Sequence, residues 1–206
     1  MMAPFAGEAI MSMRGLAAFI GLGGSAPPNL AVTTERLSRL APSANPTILA
    51  GIAERFDQLA EEHEITTRLR LCHFLAQAAH ETDGFRTLEE YGGPAYFVRY
   101  EGRRDLGNVQ AGDGLRYHGR GIFQLTGRAN YRRFGDILDI DLEAEPERAK
   151  EPAVSLAVAF AYWTESDINP AADADDIEQV TKLINGGRNG LAERTRYLGR
   201  AKGIWI

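Results

Sequence analysis

A disulfide framework is excluded by composition, because the 206 residues include one cysteine, Cys72. Stability must come from packing, and such a fold would survive in a reducing cytoplasm. A surplus of basic residues is also missing, since the formal net charge is -5. Phosphate contacts need a basic face, so no nucleic-acid partner is expected. Long apolar runs are missing as well, and the run at 16–23 is too short to span a bilayer.

The remaining composition is that of a soluble globular protein, with 44% hydrophobic and 25% charged residues. A chain of this length suits one domain with a sizeable core. Residues 1–30 differ from the rest, because they are small, apolar and glycine-rich with little charge. We predict a leader there, either a signal-like segment or a short docked one, followed by a single domain over 31–206.

Helical periodicity dominates most of the chain. Asn45 and Pro46 form a helix-start signal, and the run 67–79 repeats apolar residues at steps of three and four. This pattern places Glu81 at the end of a core helix, facing whatever opening the next loop leaves. Further helices are predicted at 130–138, at 153–163, at 191–202, and from a cap at Asp175 or Asp176 to a glycine stop at 185–187.

The segment 91–127 is irregular, rich in glycine and dotted with aromatic residues. We expect loops there and a short strand pair around 117–125. Arginines are dense in and just after this segment, and they predict a basic rim beside a ligand site. These are Arg99, Arg103, Arg104, Arg116, Arg120 and Arg128.

Two sets of carboxylates lie close in sequence, Glu81 at the helix end and Glu89 with Glu90 after one short loop. A pair of carboxylates on a rigid frame, with polar and aromatic residues around them, is how glycosidic bonds are usually broken. A lone glutamate at a helix end is more often a solvated charge or half of an ion pair. The neighbouring motifs decide between these two interpretations.

Four segments resemble the family 19 glycoside hydrolases, which comprise plant-type chitinases and a branch of bacterial and phage lysozyme-like endolysins. The segments follow in the family's order and are 79–82 (AHET), 117–126 (YHGRGIFQLT), 130–131 (NY) and 184–187 (INGG). The stretches 96–97, 106–108 and 112–114 look like the endolysin branch in particular. The resemblance implies a mainly α, lysozyme-like α+β domain whose two lobes flank a substrate cleft.

Carried over by position, the resemblance implies that Glu81 is the general acid and Glu90 the general base. Thr126 falls on the residue that helps to hold the attacking water, and Asp83 departs from the glycine usual in the motif. Arg194 falls on a helix arginine that supports the charge network of the acid. The residues assigned to substrate binding are His80, Tyr96, Gln124, Tyr131, Asn185 and Arg194.

Several alternatives stand beside these roles. Glu101 is a rival for the general base, although we expect it to be a structural partner of Arg103 or Arg120. His80 and His73 are two turns apart on one helix face, which could suggest a metal site. We prefer an orienting hydrogen bond for His80, and neither a metal nor an organic cofactor is expected.

The resemblance implies an inverting β-1,4-glycosidase, in which water attacks opposite the leaving group. The two carboxyl groups then stand roughly 6.5–9.5 Å apart, and burial of Glu81 should raise its pKa. We expect peptidoglycan as the substrate of a monomeric endolysin, and chitin as the alternative. An inactive glycan-binding module is a hypothesis of another class. The protein would be made in the cytoplasm and act at the cell wall, in the periplasm or outside the cell.

Overall fold

The computed structural model describes residues 29–206, so most of the predicted leader lies outside the described residues. Within this range the architecture is mainly helical, with a few short 3-10 turns between helices, as the sequence predicts. The helices are α1 (Thr34–Leu40), α2 (Pro46–Glu62), α3 (Arg68–Glu81), α4 (Pro94–Phe97), α5 (Asp113–Arg116), α6 (Arg128–Leu138), α7 (Pro152–Glu165), α8 (Asn169–Asp173), α9 (Ile177–Asn185) and α10 (Leu191–Ile204).

Helix ends occur where the capping residues predict them. The Asn45 side chain accepts from the backbone amide of Thr47 at 2.9 Å, which confirms the start of α2. Asp176 caps α9 in the same way, and α9 ends at Gly186 with a left-handed φ of 73°. These local signals need no tertiary partner, so the sequence alone predicts them well.

Helix α3 carries Glu81 as its final residue. Thr67 caps its first turn, and residues 71–79 are all buried, so packing on more than one side holds the helix. The Thr82 hydroxyl donates to the carbonyl of Ala78 at 2.7 Å and accepts from the amide of Phe85 at 2.9 Å. The helix therefore ends in a tight turn that fixes the position of Glu81.

The main core is centred on an aromatic cluster between α2, α3 and α7. The Phe74 ring lies 5.6 Å from Phe56, 4.4 Å from Phe160 and 5.4 Å from Trp163, measured between ring centroids. All four residues are fully buried, and Trp163 is in the core as predicted. Since α3 packs against α10 as well, this core ties the helix that carries Glu81 to the rest of the helical lobe.

The glycine-rich segment forms a small lobe with a core of its own, made by Phe97, Tyr100 and Leu106. The predicted strand pair is reduced to isolated antiparallel bridges, in which Arg120 pairs with Leu125 and with Glu89. Short helices and 3-10 turns provide the rest of this lobe. The two lobes expected from the sequence are thus both present.

The predicted basic rim is reduced, because three of its six arginines, Arg103, Arg120 and Arg128, form ion pairs with nearby carboxylates. Arg128 lies 2.5 Å from Asp113 and 2.9 Å from Glu143, while Arg120 is only 3% exposed and pairs with Glu147. Sequence density alone could not show this, since the acidic partners follow up to 27 residues later. Arg120 and Arg128 therefore hold the small lobe together, whereas Arg99 lies against Tyr96 beside the cleft.

A search of the described helices found none long and apolar enough to cross a membrane.

Replacement of Phe74 by alanine should lower the free energy of unfolding by about 3–5 kcal/mol, because the cavity lies in a packed aromatic cluster. Urea denaturation followed by circular dichroism measures this loss. Tyr91→Ala is the matched control, since the Tyr91 side chain is 65% exposed and should cost far less. Equal losses for the two variants would contradict this account of the core.

Acid stability should depend on Glu143. The hydrogen bond from Arg132, opposed by burial and helped by Arg128, lowers the pKa of this carboxyl to about 2. A lowered pKa adds stability above the ordinary value near 4.5, and that stability is lost as the pH falls towards about 2. Glu143→Gln should therefore flatten the decline of unfolding free energy between about pH 5 and pH 3.

Glu145→Gln is the control for this comparison, because the Glu145 side chain is 64% exposed and its nearest arginine nitrogen is 3.9 Å away. It should leave the pH dependence of unfolding unchanged. A Glu143→Gln curve that parallels the unmodified protein over the whole range would show that this carboxyl does not contribute.

Candidate active site

An open cleft of about 300 Å³ lies where the end of α3 meets the loop that follows it. It holds both carboxylates that the sequence assigned to catalysis. Of the described residues, those lining it are His80, Glu81, Asp83, Thr87, Glu89, Glu90, Tyr91, Tyr96 and Gln124. Of the nine predicted site residues, five line this cleft, and the other four, Thr126, Tyr131, Asn185 and Arg194, do not.

Glu81 is held by an arginine from α10. The Arg194 guanidinium lies 2.5 Å from Glu81 Oε1, and the two side chains are only 2% and 7% exposed. Arg194 also donates to the side chain of Gln77 and, through Nε, to the carbonyl of Asn189 at 3.1 Å. Arg194 therefore binds the candidate acid through a guanidinium that is itself buried and has other partners, and it lies outside the cleft lining, so its predicted place in substrate binding is not direct contact.

Burial and charge act in opposite directions on Glu81. Burial raises the pKa of the carboxyl, whereas the charge of Arg194 and its hydrogen bond lower it. The ion pair with Arg194 therefore opposes the rise in pKa that burial of Glu81 predicts. The pairing with Arg194 could not be inferred from burial of the α3 end, because it comes from α10.

His80 is oriented by a hydrogen bond, as the sequence suggested. Its Nδ1 lies 2.8 Å from Glu193 Oε2, and burial lowers the pKa of the ring, which favours the neutral imidazole. Gly190, at φ 72°, lets the backbone pass directly over this ring, where a Cβ would lie 2.2 Å from Cε1. His73 points to a different partner, Asp175, at 2.9 Å, so the two histidines do not share a site.

No group of three or more His, Cys, Asp or Glu residues within 29–206 is arranged to hold a metal ion.

Glu90 is oriented by two donors from the small lobe. The Tyr100 hydroxyl donates to Oε1 at 2.7 Å, and the backbone amide of Gly119 donates to Oε2 at 3.0 Å. A Cβ at position 119 would lie 2.8 Å from the Gln124 side-chain oxygen and 3.0 Å from Glu90 Oε2. Glycine at 119 therefore lets Glu90 and Gln124 converge on one point of the cleft.

Tyr100 is the residue that sequence reasoning missed at this site. Its ring is 1% exposed, and its hydroxyl reaches the candidate base. Burial, together with the hydrogen bond to Glu90, raises the pKa of Tyr100, so it remains a donor. No sequence signal links the two, because they are ten residues apart across an irregular segment.

The two rival carboxylates have structural partners. Glu89 accepts from Lys150 at 3.0 Å and lies 3.1 Å from His118 Nε2. Glu101 accepts from the backbone amides of Gly112 at 2.7 Å and Gly114 at 2.8 Å. The predicted arginine partner of Glu101 is wrong, since this side chain closes a loop, and Glu101 does not line the cleft.

The remaining predicted residues divide into two groups. Gln124 and Tyr96 line the cleft, and Tyr96 is 43% exposed with the Arg99 guanidinium 4.8 Å from its ring centroid. Thr126 lies just behind Gln124, is 2% exposed and donates to the Gln124 carbonyl at 2.9 Å. Its role in holding water stays a prediction.

The side chains of Tyr131 and Asn185 form hydrogen bonds with backbone carbonyls. Tyr131 is fully buried, and its hydroxyl donates to the carbonyl of His118 at 2.8 Å and accepts from Arg120 at 3.0 Å, which contradicts a direct sugar contact. The Asn185 amide donates to the carbonyl of Asn189 at 3.0 Å and lies outside the cleft lining. Both residues shape the segments that border the cleft.

Comparison with known proteins agrees with this arrangement. The family described as class I chitinase, glycoside hydrolase family 19, matches residues 45–187. A family 19 domain-containing protein of Haemophilus influenzae is 28% identical over 179 residues, which cover 73% of this chain and 88% of that protein. Endochitinase 1 of Theobroma cacao is 34% identical over 122 residues, and the match covers 54% of this chain but only 38% of that longer protein.

The fold is also that of solved chitinase structures. Chitinase C of Streptomyces griseus superposes with a TM-score of 0.72 at 22% identity, covering 89% of this chain and 95% of that one. The match to the family covers both candidate carboxylates and well over half of the chain. The chain therefore belongs to glycoside hydrolase family 19, and it is an enzyme of the glycosidase class.

Proposed function

We propose that this protein hydrolyses β-1,4 glycosidic bonds with inversion, with Glu81 as the general acid and Glu90 as the general base. The observation that carries the proposal is the contrast between two carboxylates in one cleft. Glu81 is buried against a helix end and an arginine, whereas Glu90 is aimed by two donors from the opposite lobe. Different surroundings for two carboxylates are what separate acid and base roles.

The reaction needs a proton on Glu81 and none on Glu90. The ion pair with Arg194 favours the Glu81 carboxylate. A sugar chain in the cleft would displace water from Glu81 and add to its desolvation, which raises the pKa towards the protonated acid. Glu90 would then take a proton from water as that water attacks the anomeric carbon, while Glu81 protonates the leaving oxygen.

The water needs a further partner to keep it on the far side of the sugar. Gln124 is next to Glu90 in the cleft, and Thr126, two residues further along the chain, donates its hydroxyl to the Gln124 carbonyl. We assign the positioning of the attacking water to this pair. Neither side chain can act as a base, so each can only hold the water by hydrogen bonds.

We propose peptidoglycan as the polymer, cleaved in its glycan strand by a monomeric, endolysin-like enzyme. The proposal is supported by the segments 106–108 and 112–114, which resemble endolysins and build the small lobe. Asn108 donates to the carbonyl of Tyr100 at 2.9 Å, and buried Asp113 pairs with Arg128. These segments therefore form part of the small lobe, whose Tyr100 and Gly119 donate hydrogen bonds to Glu90. The enzyme would act at the wall, in the periplasm or outside the cell.

Chitin is the second candidate substrate. It is favoured by the relatives, since the plant proteins at 32–34% identity are named endochitinases and the superposed Streptomyces griseus structure is a chitinase. Both polymers present a β-1,4 bond beside an N-acetylglucosamine unit, and the same two carboxylates could serve either. Parallel digestion of both polymers is therefore needed to decide which one is the substrate.

Glu81→Gln and Glu90→Gln should each lower the rate of glycan cleavage by about 10²–10⁴-fold, because each removes a proton-transfer group. Purified peptidoglycan and soluble chitin oligomers are digested in parallel, with products identified by mass, reducing end and the anomer first released. Glu54→Gln is the matched control, since Glu54 is exposed on the far face of α2.

Muropeptides from the glycan strand would support the peptidoglycan proposal, and products from chitin alone would replace it with the second candidate. An anomer of retained configuration would contradict inversion. Full activity in Glu81→Gln would remove the assignment of the acid and favour a glycan-binding module.

Tyr100→Phe should lower kcat by about tenfold or more while leaving KM nearly unchanged, because a hydrogen bond to a charged group is lost. Steady-state kinetics on whichever polymer is cleaved measures the changes in kcat and KM separately. Tyr117→Phe is the control in the same lobe, since the buried Tyr117 hydroxyl donates to the carbonyl of Glu143 at 3.0 Å, away from Glu90. Equal effects of the two substitutions would indicate a general loss of structure.

A further inference from the structure

Asp83 and Tyr91 are two exposed residues of the cleft that form a hydrogen bond with each other. Tyr91 follows Glu90 directly, and Asp83 comes two residues after Glu81. The Tyr91 hydroxyl donates to Asp83 Oδ2 at 3.0 Å, and both residues line the cleft. This contact joins the segment of the candidate acid to that of the candidate base.

The Tyr91 ring is placed for a ligand rather than for the core. It is 65% exposed, one of the most exposed large hydrophobic residues within 29–206. A tyrosine combines a broad apolar face with a polar end that can be anchored, which suits it to contact with an amphipathic ligand. An anchored ring loses less conformational freedom when a ligand binds.

The backbone of Asp83 has a conformation that is unfavourable for most residues with a side chain. Its φ is 50°, in the left-handed region that glycine adopts freely and aspartate tolerates. A glycine would relieve this backbone, so Asp83 carries its side chain at a strained position. The Arg86 guanidinium lies 3.3 Å from the same Asp83 oxygen, which fixes the carboxylate towards Tyr91.

We propose that Tyr91 is a sugar-stacking residue of this cleft and that Asp83 is its positioning residue. The inference rests on the proposed function, because it names the polysaccharide contact of the same site. The ring would pack on the apolar face of an N-acetylhexosamine unit next to the scissile bond, since it adjoins the candidate base. Asp83 acts through Tyr91, and it has no part in proton transfer.

Two substitutions at position 83 separate positioning from backbone effects. Asp83→Asn keeps an acceptor for the Tyr91 hydroxyl and tolerates the left-handed conformation. Asp83→Gly relieves the backbone but removes the acceptor. We expect Asp83→Gly to unfold at the same or higher denaturant concentration and yet to raise KM by about fivefold, the equivalent of one hydrogen bond. Asp83→Asn should keep the KM of the unmodified enzyme.

Tyr91→Ala should raise KM by about tenfold with a smaller change in kcat, and Tyr91→Phe should match Asp83→Gly. The double variant Asp83→Gly with Tyr91→Phe should show no further loss, because both changes remove one contact. Additive losses would show that Asp83 acts independently of Tyr91 and would overturn the positioning role.

Binding is measured separately in the Glu81→Gln background by calorimetry, using N-acetylglucosamine oligomers and isolated peptidoglycan glycan strands. Weaker glycan binding by the Tyr91→Ala variant would support the stacking role even if the parent enzyme cleaved neither polymer. The binding measurement therefore tests the stacking role separately from the proposed hydrolysis. Unchanged affinity for Tyr91→Ala, or no binding of either glycan to Glu81→Gln, would overturn the inference.

Discussion

The buried ion pair between Arg194 and Glu81 is the interaction on which the rest of the site depends. Breaking a buried pair by removing one partner leaves an uncompensated charge, which is strongly destabilising, on the order of 3–5 kcal/mol. Gln77 and the carbonyl of Asn189 occupy other donors of the same guanidinium. The pair therefore fixes α3 against α10 and also sets the electrostatic state from which the acid must be protonated.

The helices could be predicted from the sequence because their signals are local. Asn45, Thr67 and Asp176 each satisfy amides within three residues, so no tertiary information is required. The position of Glu81 at a helix end follows from the same reasoning. The resemblance to family 19 then brought Glu81 and Glu90 together as candidates, and the structure places both in one cleft.

The contacts that aim Glu90 could not be predicted, because they join separate parts of the chain, and the contact of Arg194 with Glu81 was expected only from the family resemblance. Arg194 is 113 residues from Glu81, and the Gly119 amide is 29 residues from Glu90. Motif matching also misplaced Tyr131, whose hydroxyl serves the backbone. A motif records which residues accompany a site, whereas burial and hydrogen bonds show whether each one touches the ligand or supports a neighbour that does.

Gly190, which lies against the His80 ring, immediately precedes the helix that supplies two partners of the site. Glu193 and Arg194, which bind His80 and Glu81, lie in the first turn of α10 just after this glycine. A nascent chain that has emerged only as far as Gly190 carries both cleft carboxylates but neither of these partners. These two partners are therefore among the last residues of the site to be synthesised, and they reach His80 and Glu81 through the packing of α10 on α3.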